Sequence, residues 1–86
     1  MRNLIIKYIY KITRDDINNF ALKEGINLTT KELDYLYLFI KNDYELLFNN
    51  PDKFNIDDYK NQFSKENYPK IKKVFLEYFN KFRNYL

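Results

Sequence analysis

The stretch TRDDINNFALKEGINLTTKEL, residues 13–33, decides the fold, because it carries two helix starts and one helix stop in a single run. Thr13 followed by Asp16 places an N-cap hydroxyl three residues before a carboxylate, close to the capping box but with Asp in place of Glu or Gln. The helix that follows holds Ile17, Phe20 and Ala21 on one side. It is expected to stop at Glu24, because Gly25 can take the left-handed C′ conformation without a Cβ penalty. Ile26 then folds back on Phe20 or Ala21, the apolar contact of a Schellman-type ending. Thr29 with Glu32 is a complete capping box, and Leu28 and Leu33 stand at the positions of a hydrophobic staple. The third helix therefore has the clearest start in the chain.

Toward the C-terminus, Leu33, Leu36, Tyr37, Ile40, Tyr44, Leu47 and Phe48 form one apolar face of that helix, and Tyr35, Phe39 and Leu46 form a second. A helix apolar on two sides is expected at the centre of its bundle. Asn49, Asn50 and Pro51 end it. Asn55 followed by Asp58, with Phe54 and Tyr59 as a staple, predicts a short fourth helix carrying Ile56, Tyr59 and Phe63. After a polar break at residues 64–67, Pro69 suits the first turn of a last helix. There Ile71, Val74, Phe75, Tyr78, Phe79, Phe82, Tyr85 and Leu86 recur at helical spacing. Lys73, Glu77 and Lys81 are set for two ion pairs one turn apart. Toward the N-terminus, Leu4, Ile5, Tyr8, Ile9 and Ile12 form the expected core face of a first helix. Ile6 and Tyr10 fall outside that face, as a second stripe that meets another helix, a second subunit or water.

At 86 residues with one glycine and two prolines, the chain has room for one domain, 1–86, and little material for hairpins. A compact all-α bundle of four or five helices, with the third helix central, is expected. Hydrophobic residues at 45% and aromatics at 20% are enough for collapse. The absence of cysteine and histidine excludes a disulfide framework, a thiolate nucleophile, an imidazole base and a zinc site of the usual kind. The start, MRNLIIKYIYKI, is interrupted by Lys7 and Lys11 and lacks the small-residue cleavage site of a secretory signal. No run approaches the roughly 18 apolar residues of a membrane span, so a soluble, cytoplasmic protein is expected.

The segment ITRDDINNFALKEGINLTTKEL, residues 12–33, resembles the short bacterial proteins of the YqfT-like domain-of-unknown-function family. The likeness lies in an apolar first helix, a helix opened by Thr and acids, and a Gly-Ile-x-Leu-Thr turn, here Gly25, Ile26, Asn27, Leu28 and Thr29. A polar break at residues 64–69 and the VFLEYF of the last helix extend it over most of the chain. The aromatic load and the connection at residues 49–54 depart from the family pattern. The resemblance implies a small cytosolic helical fold and carries no site residues with it.

Charge is unevenly placed along the chain. Residues 1–14 hold Arg2, Lys7, Lys11 and Arg14 with no acid, and residues 15–63 hold ten acids against five lysines. From Ser64 onward six cations face only Glu66 and Glu77. Basic terminal helices beside an acidic centre explain this pattern, and so does a basic surface for a polyanion. Adjacent carboxylates occur at Asp15 with Asp16 and at Asp57 with Asp58, both in first turns, where capping and helix-dipole roles account for them. No catalytic, cofactor or metal residue is singled out, and a non-enzymatic protein is expected. The leading expectation is a protein-interaction module, alone or as a homo-oligomer, that uses the surplus apolar residues Ile6, Tyr10, Leu38 and Leu76. The alternative is nucleic-acid binding through Lys72, Lys73, Lys81 and Arg83 on the last helix, where Leu76 interrupts the basic face. Helices two and three also have a helix-turn-helix outline. Its reading end presents Thr29, Thr30, Lys31, Glu32, Asp34 and Tyr35, a near-neutral to acidic set that phosphates repel.

Overall fold

Cap chemistry decides where the helices begin. The computed structural model describes residues 2–49 and 53–82, in the order α1 (Arg2–Lys11), α2 (Arg14–Lys23), α3 (Thr30–Asn49), a 3-10 helix (Ile56–Gln62) and α4 (Asn67–Phe82). No strand occurs among the described residues, and the chain is an all-α bundle. Expectations that fall on Asn50, Pro51, Arg83, Tyr85 and Leu86, and on the side chains of Ile5, Leu47, Phe48 and Phe82, lie outside the described residues.

Thr13 Oγ1 accepts the Asp16 N–H at 3.1 Å while Asp16 Oδ2 accepts the Thr13 N–H at 3.0 Å, so aspartate completes the box that opens α2. At the other end Gly25 has φ +76°, its N–H reaches Leu22 O at 3.0 Å, and the Ile26 N–H reaches Ala21 O at 2.8 Å. These two bonds are the full Schellman pair. Ile26 is buried in a cluster with Ala21 and Ile71, whereas Phe20 is 40% exposed and meets Tyr78 edge-to-face at 5.4 Å. An added Cβ at Gly25 would meet no atom within 4 Å, so a side chain there costs backbone strain alone. Gly25→Val is expected to lower stability by about 1–2 kcal/mol in a urea titration, and Gly25→Asn by less. Equal midpoints for all three proteins would refute the role assigned to positive φ.

α3 runs through the middle of the fold. α1 and α2 pack against it, and its Tyr35 and Phe39 meet Phe63 and Tyr59 edge-to-face at 5.8 and 5.2 Å, which brings in the 3-10 helix. Leu33, Leu36, Tyr37, Ile40 and Tyr44 on one face are half-buried, and so are Tyr35 and Phe39 on the other. Leu46 is half-exposed and leaves the second face short.

α1 sits differently from its expected orientation. Ile9 is buried and Ile6 and Ile12 are half-buried, while Leu4 and Tyr8 stand 64% and 63% exposed. Ile6 is therefore corrected from a spare residue to a partly packed one, and Leu4 and Tyr8 from core to surface. A helix with apolar residues on most sides has no single best face, and the rotation is chosen by what it meets. Here Lys41 Nζ donates to Tyr10 O at 2.6 Å, and just beyond α1 the Arg14 guanidinium lies 4.2 Å from the Tyr37 ring centroid and 2.8 Å from Asp34 Oδ1.

The fourth helix is 3-10 rather than α. Asn55 Oδ1 accepts the Asp57 N–H at 3.0 Å, and the Asp58 N–H reaches Asn55 O at 3.1 Å, an i to i+3 bond that tightens the turn. Phe54 and Tyr59 stack at 5.4 Å as the staple. Before α4, Ser64 Oγ accepts the Asn67 N–H at 3.0 Å and Ser64 O accepts the Tyr68 N–H at 2.9 Å, so the polar break is itself a cap and Pro69 falls in the first turn. The ion pairs among the described residues are Arg14–Asp34 and Lys72–Asp57, so the expected Lys73, Glu77 and Lys81 series does not pair. Exposed pairs of that kind gain only a few tenths of a kcal/mol, too little to hold long side chains together.

Candidate functional site

Glu32 does more than cap α3. Its Oε1 accepts the Thr29 N–H at 2.9 Å and the Asn67 Nδ2 at 2.8 Å, and its Oε2 accepts the Ser64 N–H at 2.8 Å. Asn67 also donates to Asn27 O at 2.8 Å, so one carboxylate and one amide tie the α2–α3 turn to the start of α4. Glu32 is 3% exposed. Burial works to raise its pKa, but the Thr29 and Ser64 N–H groups, the Asn67 amide and the Thr29 hydroxyl outweigh it and hold the carboxyl below its ordinary 4.5. Glu32 thus faces inward and is no part of a helix-turn-helix reading surface. Glu32 and Asn67 were not singled out for this joint role. The one signal was an Asn at N3 after Ser64, which leaves the Ser64 N–H without the Glu that completes a capping box.

Asp57 plays a similar part at the surface. It accepts from Lys72 Nζ at 2.9 and 3.1 Å and from the Tyr68 hydroxyl, which binds the 3-10 helix to α4. The Tyr68 hydroxyl and then the Lys72 ammonium keep Asp57 below the ordinary carboxylate value. Partial burial, followed by the bond to Asp57 and its charge, pushes the Tyr68 phenol up to about 12, so it remains a donor. Lys72 is thereby paired at the surface of the fold. Of the other nucleic-acid candidates, Lys73 and Lys81 are exposed, with Lys81 Nζ 5.5 Å from the Tyr78 ring centroid. Arg83 lies outside the described residues.

Of the apolar candidates, Tyr10 is 68% exposed, Leu38 50% and Leu76 41%. The Lys41–Tyr10 bond joins the exposed end of α1 to the turn of α3 that carries Leu38. Leu4 and Tyr8, one turn apart, are exposed on another side of α1, about 120–160° round the helix from Tyr10, and Lys7 and Lys11 are exposed on the same helix. Among the described residues no three His, Cys, Asp or Glu side chains are grouped to hold a metal ion, and no helix is long and apolar enough to cross a membrane.

Between α2, α3 and α4 lies a half-open cavity of about 210 Å³ with an almost wholly apolar lining. α2 and the following turn contribute Ala21 and Ile26, α3 contributes Tyr35 and Phe39, and Phe54, Tyr59, Val74 and Phe75 close it from the C-terminal half. Burial, then Tyr59 and Asp43, raise the Tyr35 phenol, so its proton also stays in place. Compared with known proteins, the chain matches no family model, no curated protein and no solved structure.

Proposed function

We propose that this protein is a non-catalytic interaction module whose first partner is a second copy of itself. The observation that carries the reading is the exposure of Tyr10 and Leu38 on two helices that the Lys41–Tyr10 bond ties together, with exposed Lys7 and Lys11 on α1. Solvent-exposed aromatic and leucine anchors beside cations suit a partner surface that is apolar and acidic. The chain carries such a complement in its central segment, where exposed Asp43, Glu45 and Leu46 follow one another along α3. Kinship with the YqfT-like proteins is part of the same proposal, supported by the Gly25 to Thr29 turn, and it adds no site residue.

Sedimentation of the intact chain tests this. The expected result is a salt-weakened dimer, with Leu38→Glu and Tyr10→Ala each raising Kd by roughly 30-fold, or about 2 kcal/mol, while the melt is unchanged. A monomer at all concentrations would overturn the reading. So would binding to random duplex DNA that is lost on replacing Lys72, Lys73 and Lys81 by Gln and kept in Leu38→Glu. Nucleic-acid binding is the lesser reading because, of its four candidate cations, Lys72 is already paired with Asp57 and the remaining charge is a small basic patch of the kind solvated helix faces carry.

A further inference from the structure

We propose that this half-open apolar cavity is a binding site for a small, uncharged aromatic molecule of one or two fused rings. Three observations converge on that chemistry. First, size suits a small ring system: about 210 Å³ is larger than the cavity of about 150 Å³, lined by Leu, Ile and Phe, that takes up benzene. Second, the lining presents almost no polar surface, so a charged group placed against it would find no partner and would lose hydration. Third, the lining is rich in rings already arranged edge-to-face. Phe39 meets Tyr59 at 5.2 Å with planes 73° apart, and Tyr35 meets Phe63 at 5.8 Å with planes 84° apart. Phe54 lies 5.2 Å from Phe75. A further planar ring placed among them gains the same offset and edge contacts that these rings make with one another.

The packing supplies an independent reason. Only Ile9, Ile17, Ala21, Ile26 and Ile71 are buried apolar residues among those described, and no side chain is wholly removed from solvent. Tyr35, Phe39, Phe54, Tyr59 and Phe75, which line the cavity, are half-buried. A ring in that space completes the core from within, so binding and folding are linked, and occupancy raises the melting temperature by mass action. The ligand is thus the missing layer between α3 and α4.

Thermal melts of the intact chain with naphthalene, and with naphthalene-2-sulfonate as a charged analogue of the same shape, test the inference. Naphthalene is expected to raise the melting temperature in a saturable manner and to shift the methyl resonances of Ile26, Ile71 and Val74 in NMR spectra, whereas the sulfonate does neither. Val74→Phe, which fills the cavity from α4, is expected to abolish the naphthalene shift while keeping a cooperative melt. Ala21→Leu fills it from α2 and provides the same comparison if the first variant does not fold. No response of the unaltered protein to naphthalene would overturn the proposal. Equal responses to both compounds, or methyl shifts confined to outward residues such as Leu38 and Leu76, would do the same by placing the ring on the surface.

Discussion

Glu32→Ala is expected to remove about 3–5 kcal/mol of stability, since it leaves the Thr29 and Ser64 N–H groups and the Asn67 amide facing a site without an acceptor. The orphaned Asn67 amide is buried and the two N–H groups partly so, each costing up to about 1–3 kcal/mol, and a domain of this size has only roughly 4–13 kcal/mol in total. Urea unfolding followed by circular dichroism measures the loss directly. Glu32→Gln keeps the shape but turns an amide N–H toward other donors, so it is expected to recover only part of the difference. The pH dependence has a definite sign. A carboxyl whose folded pKa lies below its unfolded value stabilises above the unfolded value, and this contribution is lost as pH falls through the folded one. The unaltered protein should therefore lose stability on acidification below about pH 4.5, with a shallower loss in Glu32→Gln. Asp57 acts in the same direction in both proteins, so the difference between the two curves isolates Glu32. Parallel curves would refute the role given to the carboxylate.

Ile26→Ala carries the second large effect, about 2–5 kcal/mol, because the side chain is 3% exposed and packed with Ala21 and Ile71. Leu36→Ala is expected to cost less, since Leu36 is only half-buried and borders a cavity already present. The order of the two melting temperatures checks the assignment of the core to the α2 stop and the start of α4. If Leu36→Ala proves the more damaging, the core lies instead along the length of α3.

The features readable in the chain are those whose chemistry closes within a few residues. The caps at Thr13 and Thr29 and the stop at Gly25 all fall where cap spacing put them, because each is decided by bonds over three to five positions. What escaped the sequence is what depends on distant partners. The second duty of Glu32 requires Ser64 and Asn67, 32 and 35 residues away in a stretch that looks like a simple break. Lys72 reads as part of a basic face until Asp57, 15 residues earlier, is found beside it. The rotation of α1 was ambiguous for another reason: apolar residues at positions 4, 5, 6, 8, 9 and 10 give nearly any face a hydrophobic stripe. Of the proposed contact residues, Tyr10, Leu38 and Leu76 are exposed and Ile6 is not. The cavity left no trace in periodicity, since a pattern records which residues point inward and not whether they meet.

The polar tie between Asn67, Glu32 and Asn27 also orders events in time. Its bonds close loops of 32 to 40 residues, whereas α2, its stop and the start of α3 need only neighbours in sequence. A chain emerging from the ribosome can therefore complete the α2–α3 hairpin early, with Glu32 serving only its own helix. The carboxylate finds its remaining donors once Ser64 and Asn67 have emerged and loop closure is achieved. The last helix is then the latch of the fold: mutations in the hairpin slow the approach to the native state, and mutations in the latch hasten its departure.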